Sequence, residues 1–341
     1  MDANSRADQA VADLREVAYW MERSRQETRR VEAYRKAADA IASLPAEDLV
    51  TLHENGGVQQ VPGVGASTGA VITAALEGRV APKLATLREA GAQPLAASEL
   101  IRELRGDLHT HSTWSDGGSP IAEMARTAQR LGREYFAITD HSPRLRVANG
   151  LSPERLRAQW EEINRVQDQV EVRLLKGIEV DILDDGALDQ TPEMLDQLDV
   201  VVASVHSKLA MDSESMTRRM VGAVANPRTN VLGHCTGRLV TGGRGQRPES
   251  QFDAEVVFQA CIQFNVAVEI NSRPERQDPP DGLIELARDM GCLFSIDTDA
   301  HAPGQLDFLQ LGAARAEQLD VDPGRIITTW PLERLLAFTR G

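Results

Sequence analysis

Between Ala10 and Met21 the apolar positions Val11, Leu14, Val17, Ala18 and Met21 recur three and four apart, and Val31, Tyr34, Ala37, Ala38 and Ile41 repeat that spacing before Pro45. Stripes with this period predict two amphipathic helices. A short helix over 48–54 follows. It leads through Gly56-Gly57 into Val61-Pro-Gly-Val-Gly65, and a further helix covers 66–76. Glycines and a proline between two helices predict a tight hairpin. One more short helix, 82–89, stops at Gly91. Residues 1–95 therefore read as a small all-helical domain and 96–104 as a linker.

From Arg105 the period changes. Short apolar runs at 107–110, 135–139, 173–179, 200–205, 231–233, 266–270 and 293–296 alternate with helical stretches at 120–131, 153–167, 213–224, 253–264 and 282–290. Strands that are apolar without alternation are buried on both faces, as in parallel sheets covered by helices. Seven of them predict a parallel α/β barrel over 105–341, with the chemistry at the C-terminal ends of the strands.

Size and charge narrow this only a little. The chain has 341 residues, 42% hydrophobic, enough for a large domain plus a small one. No run approaches the roughly 20 apolar residues of a membrane helix. The first residues, Met1-Asp-Ala-Asn-Ser-Arg, lack a signal-peptide pattern, so the expectation is a cytoplasmic protein with no membrane partner. Cys235, Cys261 and Cys292 form neither a CxxC zinc motif nor an even disulfide framework, and are expected to be reduced and buried. Net charge is −14, which excludes a nucleic-acid binder that uses its whole surface. The excess is uneven: residues 1–105 hold 13 Lys/Arg against 15 Asp/Glu, and the remainder 24 against 36. A dense acidic site that holds divalent metals would account for part of that.

Six of the seven histidines lie where the apolar runs end, among carboxylates: His109 and His111 with Asp116, Asp140-His141, Glu179 with Asp181, His206, His234, and Asp297, Asp299 and His301. A single histidine at a strand end is ordinarily a hydrogen-bonded core residue; six coincidences point to ligands. Side chains alternate along a strand, so His109 and His111 share a face, as do Asp299 and His301. Mixed imidazole and carboxylate donors suit zinc, manganese or iron rather than calcium.

These motifs resemble the polymerase and histidinol phosphatase (PHP) phosphoesterases from Arg105 to the C-terminus. The likeness is greatest to the PHP domain of bacterial family X DNA polymerases: Arg105-Gly-Asp-Leu-His-Thr-His-Ser-Thr-Trp-Ser-Asp-Gly117, Ile138-Thr-Asp-His-Ser142, Gly177-Ile-Glu-Val-Asp-Ile182, Ala203-Ser-Val-His-Ser207, Gly233-His-Cys-Thr-Gly-Arg238, Val268-Glu-Ile-Asn271, Asp297-Thr-Asp-Ala-His301 and the tail Trp330-Pro-Leu-Glu-Arg-Leu-Leu336. The resemblance implies a distorted (β/α)7, TIM-like PHP barrel and a nine-ligand, three-metal site. His109, His111, Glu179 and Asp299 would hold one ion. Glu179 would bridge to a second held by His206 and His234, and Asp116, His141 and His301 would hold a third. The departure is Cys235, where the family has proline. Two close metals that lower the pKa of a shared water, with a third on the phosphate, suit phosphoester hydrolysis and need no Ser or Cys nucleophile. Lys208, Arg238 and Arg273, each just beyond a strand end, are candidates to clamp the phosphate.

The hairpin has the form of a helix-hairpin-helix element, in which Gly63, Val64 and Gly65 would offer backbone N–H groups to a DNA phosphate. The stretch Arg30-Val-Glu-Ala-Tyr-Arg-Lys-Ala-Ala38 resembles the amino-terminal domain of the same polymerases, adding Arg35 and Lys36 as DNA contacts. That family's lyase lysine has no counterpart in 66–76, where Val71 stands, and the interval that would hold a polymerase palm is only 92–104. No polymerase activity is expected, and the missing lysine argues against lyase activity. The expectation is a metal-dependent nuclease acting at DNA ends or gaps, a 3′-to-5′ exonuclease or end-processing repair enzyme. A histidinol-phosphatase-type phosphomonoesterase and a non-catalytic DNA-binding protein are the alternatives.

Overall fold

The computed structural model describes residues 2–242 and 245–340; Met1, Gly243, Arg244 and Gly341, including the outer ends of both expected domains, lie outside the described residues. Contacts divide the chain between Pro94 and Leu95 into two compact units.

The first unit contains the helices α1 (Ala3–Arg23), α2 (Thr28–Ala42), α3 (Ala46–Glu54), α4 (Ala66–Leu76) and α5 (Pro82–Gly91). The two apolar stripes meet: Leu14, Val17 and Met21 pack with Val31, Tyr34 and Ile41, joined by Leu49, Ile72, Leu76 and Leu84. Burying each such side chain is worth about 1.5–3 kcal/mol. Helix α1 extends well before its apolar stripe because the Asp2 carboxylate accepts the Ser5 N–H at 2.8 Å, capping the polar first turns.

The second unit is a nearly closed barrel of seven parallel strands in sequential order: β1 (Gly106–Asp107), β2 (Tyr135–Ile138), β3 (Arg173–Asp181), β4 (Val200–Ser204), β5 (Val231–Leu232), β6 (Ala267–Asn271) and β7 (Phe294–Asp297). A parallel bridge between Thr110 and Ala300 joins the two edges, with the His111 N–H donating to the Ala300 carbonyl at 2.8 Å. Strand β1 is shorter than the run that predicts it because side chains replace its ladder. Leu108 N–H donates to the Asp297 carboxylate at 2.7 Å, and Thr110 N–H to the Thr139 hydroxyl at 2.8 Å.

Residues of the strands alternate between two apolar layers. Phe136, Ile138, Ile178, Val201, Ala203 and Ile270 face the surrounding helices. Tyr135, Ala137, Leu175, Val200, Val202 and Val231 fill the interior, together with Ile327, Trp330 and Leu335 from the C-terminal segment. The Tyr135 hydroxyl donates to the Trp330 carbonyl at 3.0 Å, so the tail floors the barrel at the end opposite the histidines. Trp330→Ala should cost about 3–5 kcal/mol by emptying that floor. Chemical denaturation checks this; an unchanged midpoint would mean that the tail is not part of the core. Residues 96–104, read as a linker, include a 3-10 turn at Leu100–Arg102 and bury Leu100 and Leu104 in this unit's core. All three cysteines are free and buried. Among the described residues no helix is long and apolar enough to cross a membrane.

Candidate metal centre

Strand geometry gathers the polar ends. His109 and His111 follow β1, His141 follows β2, Glu179 ends the inner part of β3, His206 and His234 follow β4 and β5, and Asp299 and His301 follow β7. Their donor atoms form four overlapping groups within which every atom lies within 4.8 Å of the others: His111, Asp116, His141 and His301; His109, His111 and Asp299; His109, Glu179 and His234; His141, Glu179 and His206. All nine predicted ligands are thus in one cluster. The groups overlap more than three separate sets would, because His111 adjoins both Asp299 and the Asp116 group.

Glu179 is the hub. Its Oε1 lies 2.9 Å from His234 Nε2 and 3.1 Å from His206 Nε2; its Oε2 lies 2.9 Å from His141 Nδ1, 3.3 Å from His109 Nε2 and 3.5 Å from His111 Nε2. Asp299 Oδ1 is 3.3 Å from His111 Nε2, and Asp116 Oδ1 is 3.4 Å from His301 Nε2 and 3.5 Å from His141 Nε2.

Despite these distances, His109 Nε2, both ring nitrogens of His111 and His206, His141 Nδ1, His234 Nδ1 and Glu179 Oε2 are buried with no hydrogen bond of acceptable geometry. Buried polar atoms left so are costly, and a cluster of them converging on shared points fits cations better than hydrogen bonds. The nitrogen and oxygen donor set matches zinc, manganese or iron.

Electrostatics agree. Burial pushes the Glu179 carboxyl up, but His109, His206 and His141 hold it well below the usual carboxylate range. Asp299 is likewise pushed up by burial and held well down by Arg276 and Arg273. Burial and the neighbouring His301 and His141 depress His111 to about 3, leaving a neutral imidazole, the form that ligates metal. For His206 burial is outweighed by Glu179 and Asp181, which raise it to about 9. A metal entering there must displace a proton, so affinity should rise with pH up to about 9. Titration calorimetry of the metal-free protein in buffers of different ionisation enthalpy should show proton release; heats independent of the buffer would contradict it.

Several residues outside the predicted set hold the ligands in place. Glu269 accepts from His109 Nδ1 at 2.5 Å and from the His234 backbone N–H at 2.5 Å. Asp140 accepts from Ser112 N–H at 2.8 Å, the Ser112 hydroxyl at 2.6 Å and Gln159 Nε2 at 2.6 Å, fixing the loop between His111 and Asp116. Asp278 receives the Thr236 N–H at 3.1 Å and the Thr236 hydroxyl at 2.8 Å beyond His234. For Glu269 and Asp140 the signal was present in sequence, as carboxylates at strand ends.

The three proposed phosphate clamps part company. Arg273 Nη1 lies 3.1 Å from His301 Nδ1, at the cluster. Lys208 is exposed and paired with Asp184. Arg238 departs from the expectation: its Nε donates to the Arg276 and Gln277 carbonyls at 3.1 and 3.0 Å, and its Nη1 to Glu249 at 3.2 Å. Those donors brace a loop rather than face a phosphate.

In the first unit, Val58 and Val61 are buried and Gly63 turns the chain at φ +88, a left-handed conformation that favours glycine. Val64 is buried, Gly65 precedes α4, and its N–H donates to the Thr68 hydroxyl at 2.9 Å. Lys36 is exposed, with Glu32 3.2 Å away, whereas Arg35 is largely covered and paired with Glu22. Both cations are thus paired, and only Lys36 is presented to solvent.

Comparison with known proteins gives these two units their class. Residues 107–273 match the model of the PHP domain and residues 6–80 that of a helix-hairpin-helix domain. The chain belongs to the PHP family and carries an N-terminal helix-hairpin-helix domain. Among its relatives is the DNA polymerase/3′-5′ exonuclease PolX of Bacillus subtilis, 35% identical over 260 residues, which cover 74% of this chain and 45% of the relative. The chain therefore spans under half of that protein's length. A probable phosphatase of Aliivibrio fischeri is 30% identical over 238 residues, covering 65% of this chain and 88% of the relative. A solved histidinol phosphate phosphatase from Lactococcus lactis, with zinc, L-histidinol and phosphate, aligns over 63% of this chain and 92% of its own at 18% identity and a TM-score of 0.46, too distant a likeness to bear on the site.

Proposed function

We propose that the protein hydrolyses DNA phosphodiesters at ends or gaps with divalent metal ions, as a 3′-to-5′ exonuclease or end-processing repair enzyme. The observation that carries this reading is the nine-residue donor cluster in the same chain as a helix-hairpin-helix domain. His109, His111, Glu179 and Asp299 would hold one ion, Glu179, His206 and His234 a second, and Asp116, His141 and His301 a third; manganese or zinc suits the donors, with iron a further option. When bound, such ions supply an activated water and neutralise phosphate charge. The protein's own contribution is positional. Glu179, the shared carboxylate, sets the spacing between sites, and Glu269 aims the His109 ring. Arg273, at the rim, would hold a non-bridging phosphate oxygen. Gly63, at the turn of the hairpin, and Lys36 would hold the DNA backbone without reading its sequence, whereas the Val64 and Gly65 N–H groups expected to share that task already donate to the Val61 carbonyl and the Thr68 hydroxyl.

A second reading, a phosphomonoesterase acting on a small molecule such as histidinol phosphate, is favoured by the acidity of residues 106–341 and by the phosphatase relative. The deciding experiment follows 5′-labelled DNA and histidinol phosphate side by side, each with manganese. Progressive shortening of the DNA from its 3′ end with little phosphate release from the monoester supports the nuclease; intact DNA beside rapid monoester turnover overturns it. Deleting residues 1–95 should then raise KM for DNA more than it lowers kcat. An unchanged KM would assign the helical domain another task.

A further inference from the structure

Among the described residues, β6 is the strand whose end contributes nothing to the donor cluster. Its polar residues Glu269 and Asn271 are nonetheless buried against that cluster, and the partly buried loop after it reaches the cluster as well. Asn271 Nδ2 lies 3.2 Å from Glu269 Oε2 and 3.3 Å from Asp299 Oδ2. Arg276 Nε donates to the same Asp299 Oδ2 at 2.9 Å. Two donors thus occupy one oxygen of Asp299, and its other oxygen, Oδ1, faces His111 Nε2 at 3.3 Å and His109 Nε2 at 4.0 Å. A carboxylate held in this way can offer a cation only one oxygen, in one direction.

The loop that carries Arg276 is itself pinned. Arg276 N–H donates to the Arg273 carbonyl at 3.0 Å, and the Arg276 carbonyl accepts from Arg238 Nε at 3.1 Å. This gives Arg238 a purpose other than the phosphate contact expected of it. The guanidinium also sits within the field of Glu179, Glu269 and Asp278, so its charge offsets part of the repulsion among buried carboxylates before any cation arrives.

We propose that Arg276 is a positioning residue, which presents Asp299 as a one-oxygen ligand to the ion shared with His109 and His111. The inference rests on the metal-centre reading. An Arg suits this better than a generic cation because its Nε–H is a directional donor set back from the end of the side chain, here on Asp299 Oδ2 at 2.9 Å.

The test is zinc binding, measured by competition with a chromophoric chelator on the full-length protein, for wild type, Arg276→Lys, Arg276→Met and Arg276→Ala, with circular dichroism melts alongside. The expected result is that Arg276→Met weakens one zinc equivalent by about 10- to 100-fold while the others bind as in wild type. Arg276→Lys should recover part of the loss, and low millimolar guanidinium should restore the lost equivalent in Arg276→Ala. Identical isotherms in all four proteins would overturn the proposal. So would a loss spread over every equivalent that tracks the melting temperature and ignores guanidinium. Wild-type protein that binds no zinc at all would instead remove the metal-centre reading on which the proposal stands.

Discussion

Glu179→Gln is expected to abolish hydrolysis, lowering kcat by about 10³-fold or more, equivalent to roughly 4 kcal/mol of transition-state stabilisation. Among the described residues no other carboxylate reaches so many imidazoles: its two oxygens lie within 3.5 Å of five. Glutamine keeps the volume but replaces one oxygen with an N–H donor and removes the negative charge that two neighbouring ions would share. His109→Ala should act similarly, since it strips a ligand and leaves Glu269 without its ring partner. DNA affinity, followed by fluorescence anisotropy with a labelled duplex, should be largely preserved in both variants because holding is assigned to the helical domain. Equal loss of binding and hydrolysis would contradict that division of labour.

Removing the metals should cost the barrel much of its stability. Ions bound about a thousandfold above their Kd contribute roughly 4 kcal/mol per site through mass action. For a domain of this size that corresponds to about 8–16 °C in Tm. Without cations, Glu179, Asp299 and the buried imidazoles must satisfy one another, and several of their atoms have no hydrogen bond with which to do so. A chelator should therefore lower the melting transition of the barrel and leave that of the helical domain in place. A single unchanged transition in calorimetry would show that the cluster is stable without metal.

How much of this was legible in the sequence depends on the kind of signal. The barrel was, because strands such as Val200–Ser204 are apolar on both faces and strand ends carry the ligands. The cluster was legible in part: His109 and His111 flank Thr110, which bridges to Ala300, as the HxH spacing expects, but Asp299 lies beyond β7 with φ +51, so strand alternation does not explain how Asp299 and His301 come together. The helix Leu309–Gln318 was not: most of its buried face is Gly and Ala, and Gly312 lets it approach so closely that a Cβ there would lie 2.2 Å from the Ser272 hydroxyl. Its buried positions Leu309, Gly312, Ala313 and Ala316 keep helical spacing, but three of the four are Gly or Ala, so little hydrophobic contrast marks the face. Trp330 stood out as part of a motif, but its place in the barrel floor depends on Tyr135, 195 positions earlier. Arg276 and Arg238 show the same limit. Arginines a few residues past a strand end look alike in sequence, and only the carbonyls and carboxylates around them separate a brace from a ligand's support or a phosphate contact.

If the nine residues form one multinuclear metal centre, elemental analysis of protein purified without added metal and passed through a desalting column should find close to three equivalents of zinc, manganese or iron in the wild type, and a loss of at least one in Glu179→Gln. Less than one equivalent in the wild type, or the same content in both proteins, would contradict it.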